Sequence, residues 1–187
     1  VFCLKKRNLV YVLSLLLTVG PLAACTSNHN EDSNEWKVSK EERVVQESTN
    51  EIEKAMAEDN WDLSSTFNYS VEYKNGEEGS YEIVGNKDTV GFTGPFPIIA
   101  KDDQKYFWFY FGKENIYNKP VEVKAIKKGT KKPVNILSGP STFFEDAAVS
   151  PGSVNMPSNL TFPSEGVWKI LVYIDGQLYE KIVVEAV

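Results

Sequence analysis

The segment Val167-Trp168-Lys169-Ile170-Leu171-Val172-Tyr173-Ile174-Asp175-Gly176-Gln177-Leu178-Tyr179-Glu180-Lys181-Ile182-Val183 decides the fold class. β-branched and aromatic residues dominate both halves, and Asp175-Gly176 separates them. An Asp-Gly pair between two such runs signals a hairpin with a two-residue type I′ turn, because both central residues of that turn take positive φ. The expected strands are 167–174 and 177–187. A two-residue turn sets their register, with Ile174 opposite Gln177, Val172 opposite Tyr179, Ile170 opposite Lys181 and Trp168 opposite Val183. Trp168, Ile170, Val172 and Ile174 then share one face, assigned to the core. Lys169, Leu171 and Tyr173 share the other with Leu178, Glu180 and Ile182, a face less polar than plain solvent exposure would favour.

The same period of two continues upstream as far as Trp61. Residues 67–73 alternate apolar and polar and end at Asn75-Gly76, a turn signal. Short strands are expected at 81–84 and 88–92 around Gly85-Asn86, at 96–100, at 106–111 and at 120–126, where Val121, Val123 and Ala125 share a face. Lys127-Lys128-Gly129 turns the chain, and 133–137 returns as a partner. Many short strands without intervening helices favour an antiparallel sandwich over a parallel α/β sheet. Residues 138–158 carry Gly139-Pro140, Pro151-Gly152 and Pro157 and read as a long irregular loop that Phe143 and Phe144 pin to the body. Long ordered loops often carry function, though this one has no catalytic spacing.

One strand stands out: Tyr106-Phe107-Trp108-Phe109-Tyr110-Phe111. Alternation places Phe107, Phe109 and Phe111 on a purely apolar face, assigned to the core, and Tyr106, Trp108 and Tyr110 on a face whose rings all carry polar tips. Three exposed rings would form a sizeable apolar patch, which needs a cover or a ligand. In an immunoglobulin-like order this strand would lie beside 167–174, so that Leu171 and Tyr173 extend the patch. Tyr106, Trp108, Tyr110, Leu171 and Tyr173 are therefore the candidate binding face. Three explanations stand: a helix or loop covers it, it recognises a protein, or it stacks on glycan rings.

Composition narrows the chemistry. The 187 residues carry a net charge of −6, 42% hydrophobic and 25% charged residues, two cysteines and one histidine. These proportions are globular. The acidic balance argues against a nucleic-acid partner, which favours a clustered basic face. His29 is the single histidine, and Ser-His-Asp, Ser-x-x-Lys and Cys-His hydrolase patterns are absent, as are phosphate-binding glycine loops. Asp102-Asp103 and Glu145-Asp146 are adjacent carboxylates, but neighbours on an extended chain diverge, and neither pair has the spacing of a calcium loop. No catalytic residue, metal ligand or cofactor is expected; Met56 and Met156 without Cys or His make a poor copper site. An enzyme would have to be a cell-wall hydrolase with two remote carboxylates about 5–9 Å apart.

The N-terminus supplies an address. Lys5, Lys6 and Arg7 precede an apolar run from Leu9 to Val19, which Gly20-Pro21 ends. The run is short for a bilayer-spanning helix and fits a secretory signal. Leu22-Ala23-Ala24-Cys25 follows and resembles the bacterial lipobox, which implies that Cys25 becomes the lipid-modified first residue after removal of 1–24. Loss of the three basic residues takes the net charge from −6 to −9. Cys3 departs with the signal and Cys25 carries lipid, so no disulfide is available to the fold. Residues 26–34 are a polar spacer that includes His29. Ser39 and Glu42 form a capping box, and Val45, Thr49, Ile52 and Met56 make one narrow stripe, which predicts a helix over 39–58.

The segment 162–168 followed by the hairpin resembles the last two strands of bacterial immunoglobulin-like extracellular domains. A wider resemblance over 61–187, carried by Val90-Gly91-Phe92, the run 105–112, and Met156-Pro157-Ser158-Asn159 leading into 162–176, is to an uncharacterised Bacillus-type lipoprotein family. It implies a lipid-anchored surface domain and carries over no catalytic residue. The expected organisation is a signal at 1–24, a lipidated Cys25 with spacer and helix at 25–60, and an all-β, immunoglobulin-like antiparallel sandwich at 61–187. The expected function is non-catalytic binding or assembly at the extracytoplasmic face of the cell membrane. The partners would be the membrane itself through the anchor, and an envelope protein or cell-wall glycan.

Overall fold

The structure, a computed structural model, describes residues 50, 52–54, 57, 60–73, 75–145 and 153–187. The signal, Cys25, the spacer with His29, residues 39–49 of the expected helix and Met56 lie outside the described residues. The described strands are β1 (Thr66–Glu72), β2 (Glu78–Gly85), β3 (Val90–Thr93), β4 (Gln104–Tyr110), β5 (Val121–Lys127), β6 (Val134–Asn135), β7 (Phe144–Glu145), β8 (Val154–Leu160), β9 (Gly166–Ile174) and β10 (Gln177–Ala186). They form two antiparallel sheets, ordered β1-β2-β3-β4-β8-β7 and β10-β9-β5-β6, packed face to face as a sandwich.

The order is that of an immunoglobulin-like domain. β3-β4-β8-β7 follows the A-B-E-D arrangement, and β10-β9-β5 follows G-F-C, with β6 added beside C. The β1–β2 hairpin precedes this frame and extends the β3 edge. After β3 the chain crosses to the other sheet, where Ile98 bridges Ala186 in parallel. That bridge is all that forms of the strand expected at 96–100.

The terminal hairpin turns where the sequence predicts, with φ of 56° at Asp175 and 78° at Gly176, and Ile174 faces Gln177. The register then departs from the expectation. Tyr179 is bulged out between Leu178 and Glu180, so Ile170 faces Ile182 instead of Lys181, and Trp168 faces Val184 instead of Val183. Without the extra residue the Lys181 ammonium would lie opposite the core; with it, Ile182 is fully buried there and leaves the outer face to which it was assigned. The bulge also aims Tyr179 inward. Its ring lies 5.6 Å from that of Tyr110, and its hydroxyl donates to the Tyr110 hydroxyl at 3.1 Å.

The outer face of β9 is apolar because the N-terminal arm covers it. Leu171, Tyr173 and Ile126 pack with Ile52 from the helical residues, with Trp61 and with Leu178. Lys169 is 2% exposed, and its ammonium lies 4.5 Å from the centroid of the Trp61 ring. Ser64 then ties the arm to the sheet edge: its N–H donates to the Val183 carbonyl, and its Oγ accepts from Val183 N–H, both at 2.9 Å.

The stretch read as a loop, 138–158, contains β7 and the first five residues of the seven-residue β8. Asn, Pro and Ser in VNMPSNL carry little β propensity, and pairing overrides it: every residue of β8 is matched along β4, from Gln104 opposite Leu160 to Tyr110 opposite Val154. Pro157 lies beyond the end of β7, on the open side where a missing N–H interrupts no ladder.

Trp108, fully buried at the centre of β4, tests this packing. Trp108→Ala is expected to cost about 3–5 kcal/mol in urea unfolding, as for other large-to-small core changes. A loss below about 1 kcal/mol would contradict the inward placement.

Candidate functional site: a groove at the open edge of the sandwich

The five residues of the expected binding face do not form one. Tyr106, Trp108 and Tyr110 are 1%, 0% and 6% exposed and lie in the main core between the sheets. Leu171 and Tyr173 are on the outer face of the opposite sheet, beneath Ile52 and Trp61. β4 pairs with β3 and β8, while β9 pairs with β5 and β10, so the two strands never adjoin. The β1–β2 hairpin accounts for the shift, because with two strands ahead of the immunoglobulin-like frame the aromatic strand occupies position B instead of C.

Polar tips decide which rings face inward. Trp108 Nε1 donates to Ser158 Oγ at 2.9 Å, and the Tyr106 hydroxyl donates to Gln104 Oε1 at 2.8 Å. The Tyr110 hydroxyl accepts from Glu114 N–H at 3.0 Å as well as from Tyr179. Each ring therefore buries its body in the core while its tip finds a partner. The phenylalanines assigned to the core lie on the outer face of the sheet. There the β1–β2 hairpin curls over them: Phe67 lies 5.6 Å from Phe111, and Tyr69 and Tyr81 lie 5.4 and 5.3 Å from Phe109. The curl depends on Gly91, where a Cβ would stand 2.5 Å from Ile83 Cγ2 and 3.0 Å from the Val84 carbonyl. The second layer of packing that the sequence called for exists, but Ile52 and Trp61 cover one sheet and the hairpin covers the other.

The concave surface lies where the sandwich is open, between the short edge strands β6 and β7. A groove of about 420 Å³ runs between the start of β5, β6 and the 139–144 segment. Its apolar lining is Pro120, Val121, Leu137, Pro140, Phe144, Met156 and Pro157, and its polar lining is Asn118, Glu122, Asn135, Ser141 and Thr142. Hydrogen bonds fix the segment and the residues that lead into it. Val121 N–H donates to the Ser141 carbonyl at 2.9 Å, Ser138 N–H donates to the Asn159 carbonyl at 3.1 Å, and Leu137 N–H donates to Asn135 Oδ1 at 3.2 Å. Phe143 is 1% exposed and packs 6.0 Å from Tyr110, so it pins the segment as expected. Phe144 does not: period-two alternation turns it outward, 50% exposed at the groove.

Glu122 is the one titratable side chain among the described residues lining the groove, and it is paired with Lys124 at 2.8 Å. The arrangement suits an extended, largely apolar ligand segment with a few polar contacts. Sequence reading passed over the site because its parts come from four separate segments, none with a motif of its own. The irregularity of 138–158 was the only pointer.

The described carboxylates of the two acidic pairs are structural or solvated. Asp103 accepts from Asn159 Nδ2 at 3.0 Å and from Thr161 Oγ1 at 3.2 Å, which fixes the end of β8, while Asp102 is exposed. Glu145 is exposed, and Asp146 lies outside the described residues. Among the described residues no group of three or more His, Cys, Asp or Glu is placed to hold a metal ion.

A solved structure shares this fold, and a family model matches the chain. The profile of a family described as a domain of unknown function, DUF4871, matches residues 51–184. The chain is also similar in fold to an X-ray crystal structure from Bacillus anthracis, named as that of a candidate lipoprotein. The TM-score is 0.51 at 17% identity, covering 72% of this chain and 91% of the other. No curated protein matches the chain at a significant level.

Three buried or half-buried phenols give the packing a pH signature. Burial pushes Tyr106 up to about 12, reinforced by the Asp102 carboxylate. Burial also pushes Tyr81 up to about 12, reinforced by its hydrogen bond with Tyr73, and moves Tyr179 upward likewise, helped by Tyr110. An unfolded tyrosine ionises near pH ~10, so these groups contribute stability that is present below that pH and lost as pH rises through the folded values. The urea midpoint is therefore expected to fall between pH ~10 and ~12, with tyrosinate absorbance from these three appearing together with unfolding. Titration of Tyr81, Tyr106 and Tyr179 near pH ~10 with the fold intact would contradict it.

Proposed function

The chain belongs to the DUF4871 family, and on that footing we propose that it is a lipid-anchored, extracytoplasmic protein that binds a partner of the cell envelope without catalysis. The binding role is carried by one observation, the apolar groove between the edge strands with Phe144 half exposed in it. Exposed aromatic and aliphatic groups in a concave site, rimmed by uncharged polar side chains, are the usual makings of a recognition surface. The location rests on the order of Lys5-Lys6-Arg7, the apolar run and Leu22-Ala23-Ala24-Cys25. The name of the Bacillus anthracis structure supports the same location. In this reading 1–24 is removed, Cys25 carries the lipid, 26–60 is the spacer and arm, and 61–187 is the displayed sandwich.

A groove with a single ion-paired carboxylate supports recognition over hydrolysis, for which a glycosidase needs two carboxylates across a cleft. Glu72 and Glu78 do oppose each other on β1 and β2, but both are exposed on the tip of an open hairpin. For partner identity, an envelope protein fits the groove better than a sugar. The walls are prolines, aliphatics and one phenylalanine, and no ring among them is paired with another to make a stacking platform.

Two measurements test the reading. Wild-type protein expressed in bacteria is expected to partition into the detergent phase and to incorporate a labelled fatty acid, and Cys25→Ser is expected to abolish both. A photo-crosslinking residue in place of Phe144 is expected to capture a discrete envelope protein in intact cells, whereas the same residue at Asn68, on the exposed face of β1, captures none. Equal labelling at both positions would remove the groove from the account.

A further inference from the structure

Four lysines fall within six residues at the turn between β5 and β6: Lys127, Lys128, Lys131 and Lys132. The run is out of character for a chain with a net charge of −6. Lys127 is half-buried, and its ammonium donates to Ser164 Oγ at 2.9 Å. Lys128, Lys131 and Lys132 are exposed, and their ammonium groups have no ion pair or hydrogen bond among the described residues. A folded domain gains nothing internally from three unpaired cations on one tight turn, where they repel one another.

The pairing shows what shares this end of the sandwich. Lys127 faces Trp168 near the start of β9, and Lys128 N–H donates to the Val167 carbonyl. Gly166 faces Ala186 at the end of β10, and Ala186 bridges Ile98. The turn and the 96–99 segment therefore lie on one rim, separated by two strands at about 5 Å spacing. Phe96 and Ile99 on that segment are each 40% exposed. Exposed Asp102, Glu165 and Glu185 share this rim, with Glu185 facing Val167, but none of them forms an ion pair with a turn lysine among the described residues. Asp103 is engaged by Asn159 and Thr161, Glu185 is on β10, and Glu165 precedes β9. Unpaired lysines beside exposed apolar side chains suit an anionic bilayer surface, which attracts cations to its headgroups and accepts apolar groups just beneath them.

We propose that this rim, led by Lys128, Lys131 and Lys132 with Phe96 and Ile99 alongside, is a membrane-facing end that lays the domain on anionic phospholipid headgroups. The inference rests on the lipid-anchor reading and adds orientation to it. Residues 26–38 extended reach roughly 45 Å, and the ten residues of β10 span about 33 Å. The tether alone therefore leaves either end free to approach the bilayer, and the basic rim selects one. The groove, flanked by the opposite ends of β5 and β6 and by β7, then opens sideways along the surface, reachable by other envelope proteins.

The test uses the full lipidated protein reconstituted on vesicles. Cys3 leaves with the signal and Cys25 is acylated, so a single introduced thiol can be labelled. A fluorophore is placed at Thr130→Cys in the basic turn or at Gln177→Cys at the opposite end, with a quencher on the lipid headgroups. On vesicles containing phosphatidylglycerol, the label at 130 is expected to be quenched at least about fivefold more than the label at 177, consistent with three surface lysines acting together. The difference is expected to vanish on pure phosphatidylcholine, at high salt, and in the variant K128Q/K131Q/K132Q, all of which remain vesicle-bound through the acyl anchor. Equal quenching at both positions on anionic vesicles, or a difference that survives in the triple variant, would overturn the proposal. So would displacement of the turn from the bilayer by dilute soluble poly(glycerol phosphate), which would assign the lysines to a wall polymer. Protein that joins neither vesicle would overturn the anchor itself, a separate failure.

Discussion

The indole of Trp108 sets the direction in which the aromatic strand faces, and the rest of the sandwich follows from it. Its N–H needs an acceptor wherever it is buried, and Ser158 supplies one from the adjacent strand at 2.9 Å. That bond links β4 to β8, the strand with the weakest intrinsic propensity. With Trp108 inward, Tyr106 and Tyr110 must be inward as well, and Phe107, Phe109 and Phe111 must be outward. An outward row of phenylalanines then requires cover, which the β1–β2 hairpin provides by curling at Gly91. Tyr110 in turn gives the bulged Tyr179 a partner, so the register of the terminal hairpin is coupled to the opposite sheet.

This arrangement changes where function can sit. Both broad outer faces of the sandwich are occupied, one by the hairpin and one by the N-terminal arm. What remains are the edges and the ends. One edge, where β6 and β7 are two residues each, leaves the layers parted and forms the groove. One end carries the unpaired lysines. A protein tethered by its N-terminus would thus present a bilayer-facing end and a lateral groove. That geometry suits lateral contact with a neighbouring protein on the same membrane.

Much of the fold was legible in the sequence. Asp175-Gly176 placed the last turn, and period-two alternation put a strand at 120–126 with Val121, Val123 and Ala125 inward, where β5 forms one residue later. The bulge at Tyr179 was hidden, because a hairpin with a tight turn has a default register and only the clash of Lys181 with the core argues against it. β8 was hidden because local propensity is a weak guide when a long partner strand dictates pairing. The face of β4 was misread because ring polarity was weighed without partners: a phenol or indole with an acceptor nearby is at home in a core, whereas three phenylalanines on an outer face need only apolar neighbours. The groove was legible only through the irregularity of 138–158, since its lining converges from segments spread between Asn118 and Pro157.

The inward setting of Trp108 is measured most directly by hydrogen exchange at the indole nitrogens, which nuclear magnetic resonance resolves one tryptophan at a time. The account predicts that the Trp108 N–H exchanges only through global unfolding, at a rate set by the urea-derived stability, and that its protection disappears with that stability as denaturant is raised. An unprotected Trp108 N–H in a fully folded domain would place the Tyr106-Trp108-Tyr110 face at the surface. It would return the binding site to the aromatic strand and remove the groove from its place in the account.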